Sequence, residues 1–428
     1  MDAIAIIFWG VVVLAVLVLV HELGHFIAAR ALGVRVTEFM IGLPGPSIGF
    51  TRGGTRYGIT CIPLGGYNRI TGMESGPEDP HLEQVLAYVY RHGVADVEHV
   101  ALGCGITPEE ADTALFVLDG WGSVNAPGRE NPYEQYAAPR TACHALGEPR
   151  EVADPKALLD SERRQTYRGL SFPKRLVVLF AGPAMNVLLS FVILIAVFCG
   201  VGVTVASTQL ASVVEDGPAA AAGLQAGDKI VSIDGTAVDD WQSLSLALLE
   251  VEPGSTVAVG YERDGVGHVA RVKTEASKDG TAQLGVYAGT EQMRLSLAQG
   301  VRASWGYLAL TVQSYANLFN PATAADTLSQ STSVVGIAVM SKEAASAGIV
   351  PLLYFVAVIS LSLGIVNLLP VPPLDGGRIV VEVIQRIAHR EIPAKVINGI
   401  TIVVIALLLL LFVFMTQQDI VRFVLGGS

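Results

Sequence analysis

Charge is scarce in this chain. Of its 428 residues, 16% are Asp, Glu, Lys or Arg and 51% are hydrophobic. The mean hydropathy of +0.50 is too apolar for an ordinary soluble protein. Positive charge is the scarcer sign: 28 Lys and Arg against 39 Asp and Glu leave a net charge of −11, which argues against nucleic acid as the main partner. Cysteine is scarce too. Cys61, Cys104, Cys143 and Cys199 show no C-x-x-C spacing, so neither a zinc ribbon nor a disulfide framework is indicated. Asp2 stands where a signal peptide would carry basic residues, and no small-residue cleavage site precedes His21. The first segment therefore reads as a retained membrane helix.

Long apolar runs are what the chain has instead. Four stretches, 4–29, 175–205, 350–369 and 396–416, approach the roughly 20 apolar residues that cross a bilayer. Basic residues flank some ends and not others. Arg30, Arg35, Arg52, Arg56, Arg69, Lys174 and Arg175 bracket 30–175, and Arg378, Arg386, Arg390 and Lys395 fill the link after the third span. The positive-inside rule then places 30–175 and 378–395 in the cytoplasm, with both termini and the stretch between spans two and three outside.

At the end of the first run stands His21-Glu22-Leu23-Gly24-His25. H-E-x-x-H on a helix puts both histidines on one face, where their neutral imidazoles suit zinc, and sets the glutamate beside them as a general base. The pattern also arises by chance in soluble proteins. At a bilayer-length helix end, polar groups are costly and need a reason. No third ligand lies nearby. The candidate is Asp375, in Asn367-Leu-Leu-Pro-Val-Pro-Pro-Leu-Asp375-Gly-Gly377 directly after the third run. Taken alone, Asp before Gly reads as a turn residue. Irregular backbone at membrane depth, however, is tolerated only against protein or a wet cavity.

Two further segments stand apart. Between about 205 and 290, Gly217-Pro-Ala-Ala-Ala-Ala-Gly223-Leu-Gln-Ala-Gly227-Asp-Lys-Ile is followed by Val231-Ser-Ile and Asp234-Gly235. This predicts one helical turn started by Pro218, then a strand and a hairpin turn. The pattern resembles PDZ domains. Binding of an extended peptide or chain terminus by strand addition is what that resemblance implies, and a structural spacer is the alternative. Between about 74 and 165, Thr107-Pro108-Glu109-Glu110 starts a helix with a capping box, and Gly120-Trp121-Gly122 ends it. With 81–92 and 97–102 it predicts a three-helix module. Acidic residues there outnumber basic ones by more than two to one, so a DNA role does not fit. Protein docking and a partnerless insertion both remain open. Residues 126–155 read as a loose linker.

H-E-L-G-H in the first span and N-L-L-P-V-P-P-L-D-G-G after the third together resemble the site-2 protease family of intramembrane zinc metalloproteases. The layout is similar to the bacterial sigma-E regulator protease group, with one PDZ domain. Ile62-Pro63-Leu64-Gly65-Gly66-Tyr67 resembles that group's membrane-associated β-hairpin loop, and Phe180-Ala-Gly-Pro183-Ala-Met-Asn186 its second-span motif. The resemblance implies zinc ligands His21, His25 and Asp375 and a general base Glu22. It implies substrate contacts at Asn186, Asn367, Gly65, Gly66 and Tyr67. For Asn186 a helix–helix hydrogen bond is the alternative. The family's S-G-P-x-G before the third span is absent; Ser331-Thr-Ser333-Val-Val-Gly336 stands there.

The expected fold is a polytopic α-helical membrane protein of about four transmembrane helices with an inserted PDZ-like β-rich domain and a small cytoplasmic helical insert. Its divisions are 1–73 (first span and hairpin loop), 74–165 (acidic insert), 166–204 (second span), 205–290 (PDZ domain), 291–349 (membrane-associated linker) and 350–428 (third and fourth spans). The expected function is zinc-dependent cleavage of single-span membrane proteins such as anti-sigma factors, or of remnant signal peptides, in a bacterial cell membrane. Partners are those substrates, the lipid bilayer and a peptide at the PDZ domain, with no nucleic acid. A catalytically inactive PDZ-bearing scaffold and a metal transporter are the competing classes. Intact His21, Glu22, His25 and Asp375 disfavour the first, and the paucity of other intramembrane ligands disfavours the second.

Overall fold

In the computed structural model, residues 3–62, 65–73, 78–128, 131–277, 280–329 and 332–419 are described. The chain divides into two compact units, one of Met1–Leu194 with Ser304–Ser428 and one of Ile195–Ala303.

The first unit opens with helix α1, Ala3–Ala31. It is apolar on all sides up to His21, as a membrane span must be. Strands β1 (Val36–Ile41), β2 (Ser47–Arg52), β3 (Thr55–Thr60) and β4 (Gly66–Ile70) follow. Instead of a single hairpin they build a four-stranded sheet, ordered β2-β3-β1-β4. Strands β2 and β3 form an antiparallel hairpin, with Gly53 and Gly54 both at positive φ in the turn between them. Strand β3 pairs with β1 in parallel, and β4 is an edge strand that pairs antiparallel with β1. The hairpin exposes Ile48, Phe50 and Ile59, an apolar surface suited to a bilayer.

The insert folds around its own core. Helices α2 (Leu82–His92), α3 (Val97–Cys104) and α4 (Pro108–Gly120) are the three expected. Thr107 and Glu110 form the capping box at the start of α4. Trp121, Leu86, Val89, Leu115 and Leu118 pack together, fully buried. Residues 126–155 do not form the loose linker expected. Strand β6 (Tyr136–Ala137) pairs with β5 (Val94–Ala95), and the Asn131 amide donates to three backbone carbonyls. Burial of Ala137 and Ala138 outweighs the turn-forming composition there. A fourth helix, α5 (Pro155–Arg163), is capped by Asp154 with Pro155 at its first turn, a start signal that the linker reading passed over. Arg35 ties this module to the sheet, donating to Glu162 at 2.6 Å and to Gln165 at 2.9 Å.

Helix α6, Phe172–Gly200, contains Pro183. The second unit then builds a β-rich fold of PDZ type. Its elements are β7 (Val203–Val213), α7 (Pro218–Ala221), β8 (Lys229–Ile233), β9 (Thr236–Ala237), α8 (Trp241–Leu249), β10 (Thr256–Arg263), β11 (Val266–Lys273), β12 (Glu275–Ala276), β13 (Ala282–Gln283) and β14 (Val286–Met293). The main sheet runs β11-β10-β8-β7-β14, with β9 folded back on β8 across Asp234-Gly235. Leu210, Ile230, Ile233, Leu244, Val259 and Val272 fill its core. The buried Asp228 carboxylate receives Arg263 at 2.7 and 2.8 Å.

Beyond this unit the stretch expected as a linker is largely helical: α9 (Leu297–Asn317), α10 (Ala324–Ser329) and α11 (Val334–Ala347). Helix α11 packs along α1 and starts at Ser333, whose hydroxyl caps Val335 N–H. Ser331 lies outside the described residues. Helices α12 (Ile349–Val366), α13 (Asp375–Ala388) and α14 (Ala394–Asp419) complete the chain. Among the described residues four helices, α1, α6, α12 and α14, are long and apolar enough to cross a membrane. Their exposed Ile7, Val192, Leu353 and Leu410 give the fold the apolar exterior a bilayer needs.

Candidate metal centre and catalytic cleft

One helical turn separates His21 from His25, so both imidazoles leave α1 on one face and both are buried. Their Nε2 atoms lie 3.2 Å apart. Asp375 Oδ2, 350 positions from His25, lies 3.0 Å from His21 Nε2 and 3.2 Å from His25 Nε2. Three ligand atoms bonded tetrahedrally at about 2.0 Å to one zinc would be about 3.3 Å apart, so this triangle fits one face of such a site.

The surroundings orient the donors. His25 Nδ1 donates to the Val178 carbonyl oxygen on α6 at 2.8 Å, which fixes the tautomer and leaves Nε2 a free lone pair. Gly182 lies under the His25 ring, where any Cβ would collide with Nε2. Asn186 is fully buried with its amide nitrogen 3.5 Å from His21 Nδ1 and its Oδ1 without a partner. Turning that amide over lets Oδ1 accept from His21 Nδ1–H, which frees His21 Nε2 in the same way. The Asn186 carbonyl accepts from Ser360 on α12 at 2.8 Å.

Asp375 opens α13 after the proline-broken segment. Gly376 N–H donates to the Asn367 carbonyl at 2.7 Å, and backbone from Leu368 to Pro372 presses so close that neither Gly376 nor Gly377 has room for a side chain. Glu22 faces the cleft, and its carboxylate accepts from Asn68 Nδ2 on β4 at 2.8 Å.

These groups line one cleft of about 310 Å³, with Tyr67, Asn68 and Asn367 on its walls. The structure therefore brings together His21, Glu22, His25, Asp375, Asn367 and Tyr67. Gly66 lies on β4 close to the Glu22 side chain, and Gly65 precedes it at positive φ. Pro63 and Leu64 lie outside the described residues. Asn186, expected at the substrate, lies fully buried beside His21 Nδ1. Sequence reasoning did not single out Asn68 for Glu22 or Gly182 for His25. Gly182 lies inside the quoted second-span motif, but nothing local to it shows that a histidine ring from another helix will rest there.

A family model described as Peptidase family M50 matches residues 9–411. The chain belongs to peptidase family M50. Curated relatives of this M50 peptidase include "Probable protease eep" of Enterococcus faecalis, 31% identical over 96% of this chain and 98% of the relative. "Regulator of sigma-W protease RasP" of Bacillus subtilis is 31% identical over 96% and 97%. "Zinc metalloprotease RasP" of Shouchella clausii is 29% identical over 96% and 97%. Among solved structures, a PDZ domain of the SdrC-like protein from Listeria monocytogenes is 32% identical, covers 20% of this chain and 90% of that one, and has a TM-score of 0.18. The M50 peptidase is thus a zinc metalloprotease of the site-2 protease family and a multi-pass membrane protein, as the paired motifs implied.

Proposed function

We propose that this peptidase cleaves single-span membrane proteins, such as anti-sigma factors, or remnant signal peptides, within the bilayer of a bacterial cell membrane. The observation that carries this reading is the convergence of the three-donor cluster His21, His25 and Asp375 with Glu22 in one cleft beside an edge strand. His21, His25 and Asp375 would hold the zinc. When bound there, the ion supplies a Lewis acid and lowers the pKa of water to about 7. Glu22 takes the proton from the attacking water and passes it to the leaving amine. Asn68 holds the Glu22 carboxylate in place through both steps.

A membrane helix has its amides paired internally, so the substrate must unwind before it can be cut. Strand β4 ends its sheet with no strand on its outer side among the described residues, and it borders the cleft. That edge can accept the unwound segment by strand addition, with Gly65, Gly66 and Tyr67 beside it and Asn367 opposite. The Asn186 amide supports the metal by orienting His21. The sequence resemblance and the distribution of basic residues support a topology with the PDZ domain and both termini outside and the acidic insert in the cytoplasm. In that arrangement the PDZ domain filters or tethers substrates already trimmed on the outer side.

The test pairs two variants of the full-length protein on a single-span substrate in vesicles. Glu22→Gln should abolish cleavage with zinc content retained, and undiminished cleavage would remove Glu22 from its role. Asp375→Ala should lower zinc content; full occupancy would remove it from the ligand set. Cleavage of soluble unfolded proteins but of no membrane helix would overturn the substrate class.

A further inference from the structure

Behind the catalytic cleft lies a second cavity of about 240 Å³. The two share Met73, Pro373 and Arg378 as a common wall. Three arginines line the inner cavity. Arg168 is 3.8 Å from Glu391, and Arg175 is 3.4 Å from Glu382. Arg378 differs: its guanidinium has no hydrogen bond or ion pair among the described residues.

Arg378 follows Asp375 by three residues on α13, so it leaves the helix on the face that carries the proposed ligand. Its natural helical partner is Glu382, four residues on. That carboxylate is engaged elsewhere, by Arg175 on one oxygen and by the Tyr167 hydroxyl at 3.1 Å on the other. Burial first, and the Glu382 charge next, push the Tyr167 phenol far above its usual range, so it stays a donor. With Glu382 held by Arg175 and Tyr167, and Asp375 turned to the two histidines, Arg378 lines the cleft wall with its planar fork of donors unengaged among the described residues.

We propose that Arg378 is a further catalytic residue, which binds the oxygen of the carbonyl under attack and then the carboxylate that replaces it. This rests on the protease reading above. In the reaction, the water oxygen bonds to the carbonyl carbon and the C–N bond breaks. Glu22 carries one proton from water to the amine nitrogen, the second proton of that water follows to the same nitrogen, and the products part as a carboxylate and an ammonium. Negative charge therefore grows on that oxygen and persists in the product. A guanidinium suits both stages, because its paired N–H groups match a carboxylate in two parallel bonds.

The experiment uses full-length protein in lipid nanodiscs and two Leu/Ala-rich peptides that differ only in a free or amidated C-terminus. With metal removed by chelation, the wild type should bind the free acid roughly tenfold more tightly, as a charge-assisted bond would give. Arg378→Gln should bring the ratio near one at an unchanged melting temperature, and Arg378→Lys should keep part of it. With zinc restored, Arg378→Gln should lose about 10²–10³ in kcat, the scale of a lost oxyanion donor, with KM little changed. A wild-type acid-to-amide ratio near one, or the same ratio in Arg378→Gln, overturns the proposal. So does wild-type kcat in that variant. If the acid preference holds but the wild type cuts no membrane helix, the anion site stands and the membrane-substrate reading falls.

Discussion

The side-chain amide of Asn68, on the edge strand of the sheet, reaches the carboxylate of Glu22, on the first helix, at 2.8 Å. Together with a second bond from the same nitrogen to the Glu22 main-chain carbonyl, it ties the proposed general base to the strand that borders the cleft. A shift of that strand would move the base.

Asn68→Ala should therefore cost about 10–100-fold in kcat, the usual effect of losing a partner that orients a working side chain. Zinc content should stay at the wild-type level, because Asn68 bonds to Glu22 and to none of the three donors. Metal analysis beside cleavage kinetics checks both halves. Metal loss in this variant would mean that the strand supports the donors as well.

Gly182→Ala should strip the metal. The added methyl collides with His25 Nε2, the atom that faces Asp375. At least a tenfold loss in zinc affinity is expected, on the scale of lost orienting partners. Gly200→Ala, at the far end of the same helix, adds a methyl to open space and should bind zinc normally. Competitive chelation on the two purified variants makes the comparison.

Asp228→Asn should destabilise the 195–303 unit by about 2–3 kcal/mol, because the variant gives up a buried charged partner of Arg263. The hydrogen bond from Arg263 holds the Asp228 carboxyl below its usual range against the opposing effect of burial. A depressed folded-state value means that this stability is complete above the unfolded pKa of about 3.9 and drains away as pH falls through the folded value. Hydrogen exchange of 203–293 in the full-length wild type should accelerate below about pH 4 more steeply than in the variant.

Much of this was legible beforehand because the strongest signals are local. A run such as 396–415 declares a span by length alone, and Thr107-Pro108-Glu109-Glu110 carries its own cap. The PDZ segment announced its turns through Pro218 and Asp234-Gly235. What stayed hidden depends on partners far along the chain. The parallel pairing of β1 with β3 has no hairpin turn to mark it. Residues 126–155 look like a linker until Val94–Ala95 supplies a strand to pair with. Helix α9 carries enough polar residues, Gln299, Arg302 and Gln313 among them, to blur its apolar face.

At the site the same division holds. His21, Glu22 and His25 lie within five positions of one helix, and the spacing alone puts them together. Asp375 could be nominated from its irregular, proline-broken setting after the third span, but only the family likeness raised it above a turn residue, since no rule of spacing reaches across 350 positions. The contact between Asn186 and His21 Nδ1 was not legible either, because it joins two helices 165 positions apart.

The distance along the chain between His25 and Asp375 also sets a schedule. A ribosome adding 5–20 residues per second needs roughly 20–70 s to travel from one to the other. Through that interval the growing polypeptide already carries both histidines, yet it lacks one corner of the triangle. With the proposed ligand set, the order of synthesis alone keeps the donor triangle incomplete until Asp375 is added.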